Sequence, residues 1–283
     1  MRALVVLTLL LALGGLAAAA DLQVPQSVVA GNAVSIPTSG SGSATLYLAG
    51  PGHVAKREVK LGEPIELKAE ELRVAGRYTV ILSSGEQASF FVTPAQPGEI
   101  AFLARPSRVP TAKPGVISGV AFVFDGFRNL VLQPTPVKFE LSVQGTNASQ
   151  TVETKNGIAW TRMNSASKEG AAQFVASVGE VKVNRVVQQT AGEPCTLSMR
   201  VAQRTAKGIV VETAPIRDCS GNAVPDGTIV TFSLVDAKGR RTTVDSRIKK
   251  GFARAELPND QGTLSVAAGV VMGNELQVGG GGQ

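Results

Sequence analysis

The chain contains two stretches that are copies of one another, and this fixes the structural unit before any secondary structure is assigned. Asp125-Gly-Phe-Arg-Asn129 recurs about 93 residues later as Asp218-Cys-Ser-Gly-Asn222, and Val137-Lys-Phe139-Glu-Leu141 recurs at the same spacing as Val230-Thr-Phe232-Ser-Leu234. Asn156-Gly157-Ile-Ala159 returns as Lys250-Gly251-Phe-Ala253, and Gly98-Glu99 returns as Gly192-Glu193. Two homologous units follow, 96–190 and 191–278, with 21–95 left as a separate first unit. Pro94-Ala-Gln-Pro97-Gly98 and Gln189-Thr-Ala-Gly192-Glu-Pro194 mark the joints, because Pro and Gly stop strands.

Within the units the hydrophobic period is two. Val137, Phe139, Leu141 and Val143 alternate with Lys138, Glu140 and Ser142. Val230, Phe232 and Leu234 do so against Thr231 and Ser233, and Leu197, Met199 and Val201 against Ser198 and Arg200. Such alternation makes half-buried antiparallel strands. Turn residues at Gly126, Asn156-Gly157, Gly170, Pro225-Asp226-Gly227 and Lys238-Gly239 punctuate them at the cadence of a β-sandwich. The expected fold is therefore all-β, three tandem immunoglobulin-like β-sandwich domains. Only Pro64 to Val74 has room for a short helical turn.

Residues 1–20 read as a signal peptide, with one basic residue, Arg2, an apolar core from Val5 to Leu13, and Ala18-Ala19-Ala20 before polar sequence begins at Asp21. No later segment reaches the roughly 18 apolar residues of a membrane span, so no integral membrane segment is expected in the mature chain. Removing Arg2 lowers the net charge by one from the +6 of the full chain. The basic residues are scattered, in pairs such as Arg240-Arg241, and few aromatics lie among them, so no nucleic-acid partner is expected. The glycine-rich tail, 279–283, has no side chains with which to pack and is expected to be disordered.

The two cysteines, Cys195 and Cys219, would lie opposite each other at the open end of a hairpin formed by Thr196 to Val201 and Ile209 to Ile216, with its turn at Ala206-Lys207-Gly208. One disulfide is expected, with two buried thiols as the alternative. In the first unit, Leu72 followed by Gly76-Arg-Tyr78 is the pattern of a tyrosine corner, where the phenol bonds back to the preceding turn. A fibronectin-like or prealbumin-like sandwich would leave the same trace.

The repeated units resemble the bacterial immunoglobulin-like domains of the invasin and intimin type. Asp125, Asn129, Val137, Phe139, Gly157 and Ala159 carry the resemblance in one copy, and Asp218, Asn222, Val230, Phe232, Gly251 and Ala253 in the other. The resemblance implies rigid spacers that hold a receptor-binding tip away from a bacterial surface. The expected outer-membrane barrel and lectin-like terminal domain of that family are not found in this chain, so the resemblance speaks for the sandwich more than for adhesion.

Other residues are weighed against plainer roles. His53, in a Gly-Pro-Gly-His loop, lacks the carboxylates or thiols that a metal site or triad would need, and is expected as an exposed turn residue. The aspartate and asparagine pairs offer oxygens to calcium, but fixing their own turn accounts for them, since calcium asks for six or more ligands. Glu70 and Glu71 are adjacent and do not face each other as an acid and base pair would, so a solvated face is expected. Trp160 is expected to pack in the core or at its rim, with a ligand anchor as the alternative. Asn147-Ala-Ser149 fits a glycosylation sequon, which matters only in a eukaryotic secretory pathway and is set aside because the resemblance points to a bacterium.

No catalytic residue, cofactor or metal is expected. The expected role is an exported, non-enzymatic binding or spacer protein of the bacterial cell envelope, periplasmic or secreted, whose partner is a protein or an envelope polymer. The Phe127-Arg128 and Pro225-Asp226 loops are candidate contact points. The alternative is a periplasmic assembly factor that offers a sheet edge to another exported polypeptide.

Overall fold

A computed structural model describes residues 21–279 apart from residue 206. The leader reading over 1–20, the turn residue 206 and the last four residues of the tail lie outside the described residues.

The strands of the described residues come in three pairs of sheets. In the first, β1 (Ser27–Val29), β3 (Ser43–Gly50), β4 (His53–Lys60), β6 (Gly76–Leu82) and β7 (Gln87–Thr93) form a five-stranded sheet in the order β1-β7-β6-β3-β4. It is accompanied by a two-stranded sheet of β2 (Val34–Ile36) and β5 (Ile65–Leu67). The one helical element among the described residues is a 3-10 turn, Ala69–Leu72, inside the segment where a turn was expected. Its position is set by Glu71, whose Oε2 accepts the Lys68 amide at 2.8 Å. Alternation buries Leu46, Leu48, Tyr78, Val80 and Leu82 between the sheets, with Ile36 and Leu67 facing them.

In the second pair, β8 (Pro97–Arg105), β10 (Ile117–Asp125) and β13 (Ile158–Met163) form a sheet in the order β13-β10-β8. The facing sheet runs β12-β11-β14-β15-β9, from β9 (Arg108–Pro110), β11 (Pro136–Val143), β12 (Thr146–Glu153), β14 (Gly170–Val178) and β15 (Val181–Thr190). Three buried rings fill the space between, with Phe102 edge-on to Phe174 at 5.1 Å and Phe139 at 5.9 Å and 6.1 Å from the two. Burying each ring contributes about 1.5–3 kcal/mol. Gly119 makes room for them, since a Cβ there would stand 2.7 Å from Phe174 Cζ and 3.1 Å from Phe102 Cε2.

The third pair repeats that design. It contains β16 (Met199–Arg204), β17 (Ile209–Thr213), β18 (Ile229–Asp236), β19 (Arg241–Arg247), β20 (Arg254–Leu257), β21 (Gly262–Ala268) and β22 (Val271–Val278), ordered β16-β17-β20 and β19-β18-β21-β22. Apart from the extra edge strand β9, the strand order is that of the second pair. Turn chemistry repeats too: Asn156-Gly157 and Lys250-Gly251 both take left-handed φ at both positions (51°, 77° and 52°, 84°), the signature of a tight hairpin turn.

The sheets come in three pairs, but the compact units are two. Among the described residues, one is the chain up to Glu99 together with Phe124–Val131, and the other is Ile100–Val123 with the chain from Leu132 onward. The loop that follows β10 thus belongs with the residues preceding Ile100. Among the described residues no helix is long and apolar enough to cross a membrane.

Candidate functional site

The repeated aspartates and asparagines do more than fix a turn. Asp125 ends β10, and its Oδ1 accepts the amides of Phe127 (2.9 Å) and Asn129 (2.8 Å). Its Oδ2 accepts the Asn129 Nδ2 amide at 2.8 Å and the Ala95 backbone amide at 2.9 Å. Asn129 then reaches back along the chain: its Oδ1 accepts the Ala75 amide at 2.8 Å, and its Nδ2 donates to the Arg73 carbonyl at 2.7 Å.

The second copy is built the same way. Asp218 Oδ1 accepts the amides of Ser220 and Asn222, both at 2.9 Å, while Oδ2 accepts the Gly192 amide at 3.0 Å and Asn222 Nδ2 at 3.0 Å. Thr111 adds its hydroxyl to Oδ2 at 2.7 Å, and Asn222 Nδ2 donates to the Ser167 carbonyl at 2.7 Å. One carboxylate therefore ties the local turn, the incoming connection (Ala95 or Gly192) and an earlier segment into one network. The turn conformation repeats as well, since Arg128 (φ 66°) and Gly221 (φ 83°) occupy the same left-handed place.

Both carboxylates are buried, Asp125 fully and Asp218 to 6 % exposure. Burial pushes their pKa values up, but the hydrogen-bond donors outweigh it. Asp125 is held below the usual carboxylate range by Asn129 and the amides of Ala95, Asn129 and Phe127. Asp218 is lowered to about 2 by Asn222, the Gly192 amide and Thr111. With both oxygens of each carboxylate saturated by donors from the protein, no lone pair is left for a cation. Among the described residues no group of three histidine, cysteine or acidic side chains is placed to hold a metal ion. Sequence reasoning found the aspartates and asparagines but took them as local. It missed Thr111, and it missed the reach to Arg73, Ala75 and Ser167. The available signal was that both side chains recur while the three residues between them change entirely.

Cys195 and Cys219 form a disulfide with a Cα separation of 4.6 Å. The flanking strands pair antiparallel as expected, Met199 opposite Thr213, although the first is shifted along the chain and the second is shorter than the sequence suggests. The first begins only at Met199, whose amide donates to Asn274 Oδ1 at 2.7 Å, and the second stops at Thr213, before Pro215. Tyr78 is fully buried and its hydroxyl donates to the Val74 carbonyl at 3.1 Å. Burial raises its phenol pKa. The ring lies over Gly50, where a Cβ would come within 2.2 Å of it.

Three expectations need correction. His53 is not at a loop tip: it is the first residue of β4, half-buried, with Nε2 4.0 Å from Glu71 Oε1. Glu71 is not on a solvated face. It is 8 % exposed and paired to Arg57 at 2.6 Å, and the Lys68 amide and Arg57 lower its pKa despite the opposing effect of burial. Its neighbour Glu70 does face solvent, 3.9 Å from Lys68. Trp160 is neither core nor rim but 64 % exposed, because Ala159, Thr161 and Met163 take the inward positions of β13.

The candidate loops differ in how free they are. Phe127 is 40 % exposed and its ring lies over Gly31, while Arg128 approaches Glu99 at 3.7 Å. Asp226 is engaged internally, its carboxylate accepting the amides of Lys250 (2.9 Å) and Gly251 (3.4 Å). Pro225 lines a groove of about 540 Å³ with Pro110, Ala191 and Pro194.

No protein-family model and no curated protein matches the chain. Solved structures do. The chain is similar to FdeC, an adhesin of Escherichia coli, with a TM-score of 0.61 and 16% identity over 93% of this chain and 98% of that one. It is similar to InvD of Yersinia pseudotuberculosis with a TM-score of 0.52 and 11% identity over 94% of this chain and 99% of that one. At such identities the likeness is one of fold, and the fold is that of bacterial immunoglobulin-like domains of the adhesin and invasin type.

Proposed function

We propose that this chain is an exported, non-enzymatic binding or spacer protein of the bacterial cell envelope. In this reading a leader over 1–20 precedes three sandwiches, 21–95, 96–190 and 191–278, which act through their outer surfaces and loops. The observation that carries it is the fold shared with the adhesin FdeC along nearly the whole of both chains. The duplicated carboxylate network supports the same role, because side chains that bind the incoming connection convert a flexible linker into a held one. The disulfide is in keeping with an oxidising compartment.

A tagged copy, fractionated and treated with protease on intact cells, tests this. Surface exposure or release into the medium is the expected result. Retention in the periplasm with a crosslinked client would favour the alternative of an assembly factor, for which the free edges of β12 and β13 are the supporting feature. A cytoplasmic location sinks both.

A further inference from the structure

In an antiparallel sandwich the outer face of a sheet is ordinarily polar. The three-stranded sheet β13-β10-β8 departs from that rule. Its outward positions on β13 are Ile158, Trp160 and Arg162, paired across to Phe122, Val120 and Ser118 on β10. On β8 the outward residues are Glu99, Ala101, Leu103 and Arg105, of which Leu103 is 49 % exposed, while Trp160 on β13 is 64 % exposed. The matching sheet β16-β17-β20 keeps an exposed ring, Phe252, beside it at the position of Ile158, but carries charges where the second pair has Trp160 and its neighbours. Arg254 stands opposite Glu212, which is ion-paired to Arg200 at 3.2 Å, and Glu256 stands opposite Val210. The fold therefore does not require an apolar outer face here.

Two features indicate what would cover it. β13 is an edge strand: Ile158 spends its outer amide and carbonyl on Lys155, and the main-chain groups of Trp160 and Arg162 are left on the open side, where an added polypeptide strand can pair with them. Beside it, between β12 and β13, runs a groove of about 560 Å³ lined by Val152, Lys155, Ile158, Trp160 and Arg162 among others. Charge supplies the second feature. Arg162 and Lys155 flank the apolar residues of the groove against a single carboxylate, Glu153, and among the described residues no ion pair engages either of them.

We infer that the β13 edge docks an extended segment of another polypeptide, apolar in alternate positions and acidic at its flank, with Trp160 and Ile158 gripping its side chains and Arg162 meeting its carboxylates. This rests on the proposed binding role and names the chemistry of the partner.

The test uses a peptide of about ten residues, the upper length of an ordinary strand, alternating valine and threonine with glutamates at both ends. A lysine-flanked peptide and a proline-interrupted one serve as counterparts. Trp160 is the one tryptophan in the chain, so its emission reports on the site directly. The glutamate peptide should shift that emission to the blue and protect the amides of Trp160 and Arg162 from exchange. The other two should bind at least tenfold more weakly. Trp160→Arg, which copies the third pair's Arg254, should weaken binding of a labelled glutamate peptide at least tenfold with an unchanged melting curve, while Arg254→Ala should leave it unaltered.

Equal binding of all three peptides, an unaltered affinity in Trp160→Arg, or no response at all overturns the proposal. So does a blue shift produced by an oligosaccharide alone, or by raising the protein concentration without peptide. If peptides fail while the protein is accessible on cells, only this docking site is lost. If accessibility fails, the display role falls whatever the peptides do.

Discussion

The second and third pairs of sheets are built to one plan and stabilised differently. The second packs three phenylalanine rings around a cleared glycine, carries an extra edge strand, β9, and leaves its small sheet apolar outside. The third has one buried phenylalanine, Phe232, within an aliphatic core, charges on its small sheet, and a disulfide. One topology thus tolerates two solutions to the same packing problem, and what the two copies share is the network around the turn aspartate.

That comparison can be broken at the shared element first. Asp218→Ala removes the acceptor for Thr111, the Gly192 amide and two turn amides at once, and should cost about 3–5 kcal/mol in urea unfolding, the range for stripping a partner from a buried charged network. Reducing the disulfide, or replacing Cys195 and Cys219 by serine, should cost about 3 kcal/mol in the third pair alone, since the bridge closes a loop with a sequence separation of 24. Exchange protection in the second pair should be unchanged.

The acid limb of stability follows from the depressed carboxylate. Asp218 falls from 3.8 to about 2 on folding, so its contribution is present above pH 3.8 and is lost as pH falls through about 2. The loss amounts to about 2 kcal/mol. Asp218→Asn, which cannot ionise, should flatten this limb in melts recorded across that window. Gly119→Ala should cost about 1–3 kcal/mol, because the added methyl meets two buried rings. The smallest effect belongs to the exposed face, where Trp160→Arg should change stability by less than about 0.5 kcal/mol.

Much of this architecture is legible in the sequence because period-two alternation and turn residues are local signals. β11 and β18 fall where Val137 to Val143 and Val230 to Leu234 place them, and the cysteine pair follows from the hairpin register. What escapes the sequence is anything decided by a distant segment. Alternation on β13 marks two faces without telling which is inward, and its inward residues, Ala159, Thr161 and Met163, are all smaller than the outward tryptophan. Glu71, in the 3-10 turn, reads as surface until Arg57 of β4 comes to meet it. The reach of Asn129 to Arg73 and of Asn222 to Ser167 spans more than fifty residues, and no spacing rule encodes it.

Because the aspartate and asparagine side chains themselves hold each joint, the three positions they enclose are relieved of that duty. One copy fills them with Gly126, Phe127 and Arg128, and the other with Cys219, Ser220 and Gly221. The same bend can therefore present an aromatic knob in one place and anchor a covalent crosslink in the next, which is how a duplicated segment acquires individual character without surrendering its grip on its neighbour.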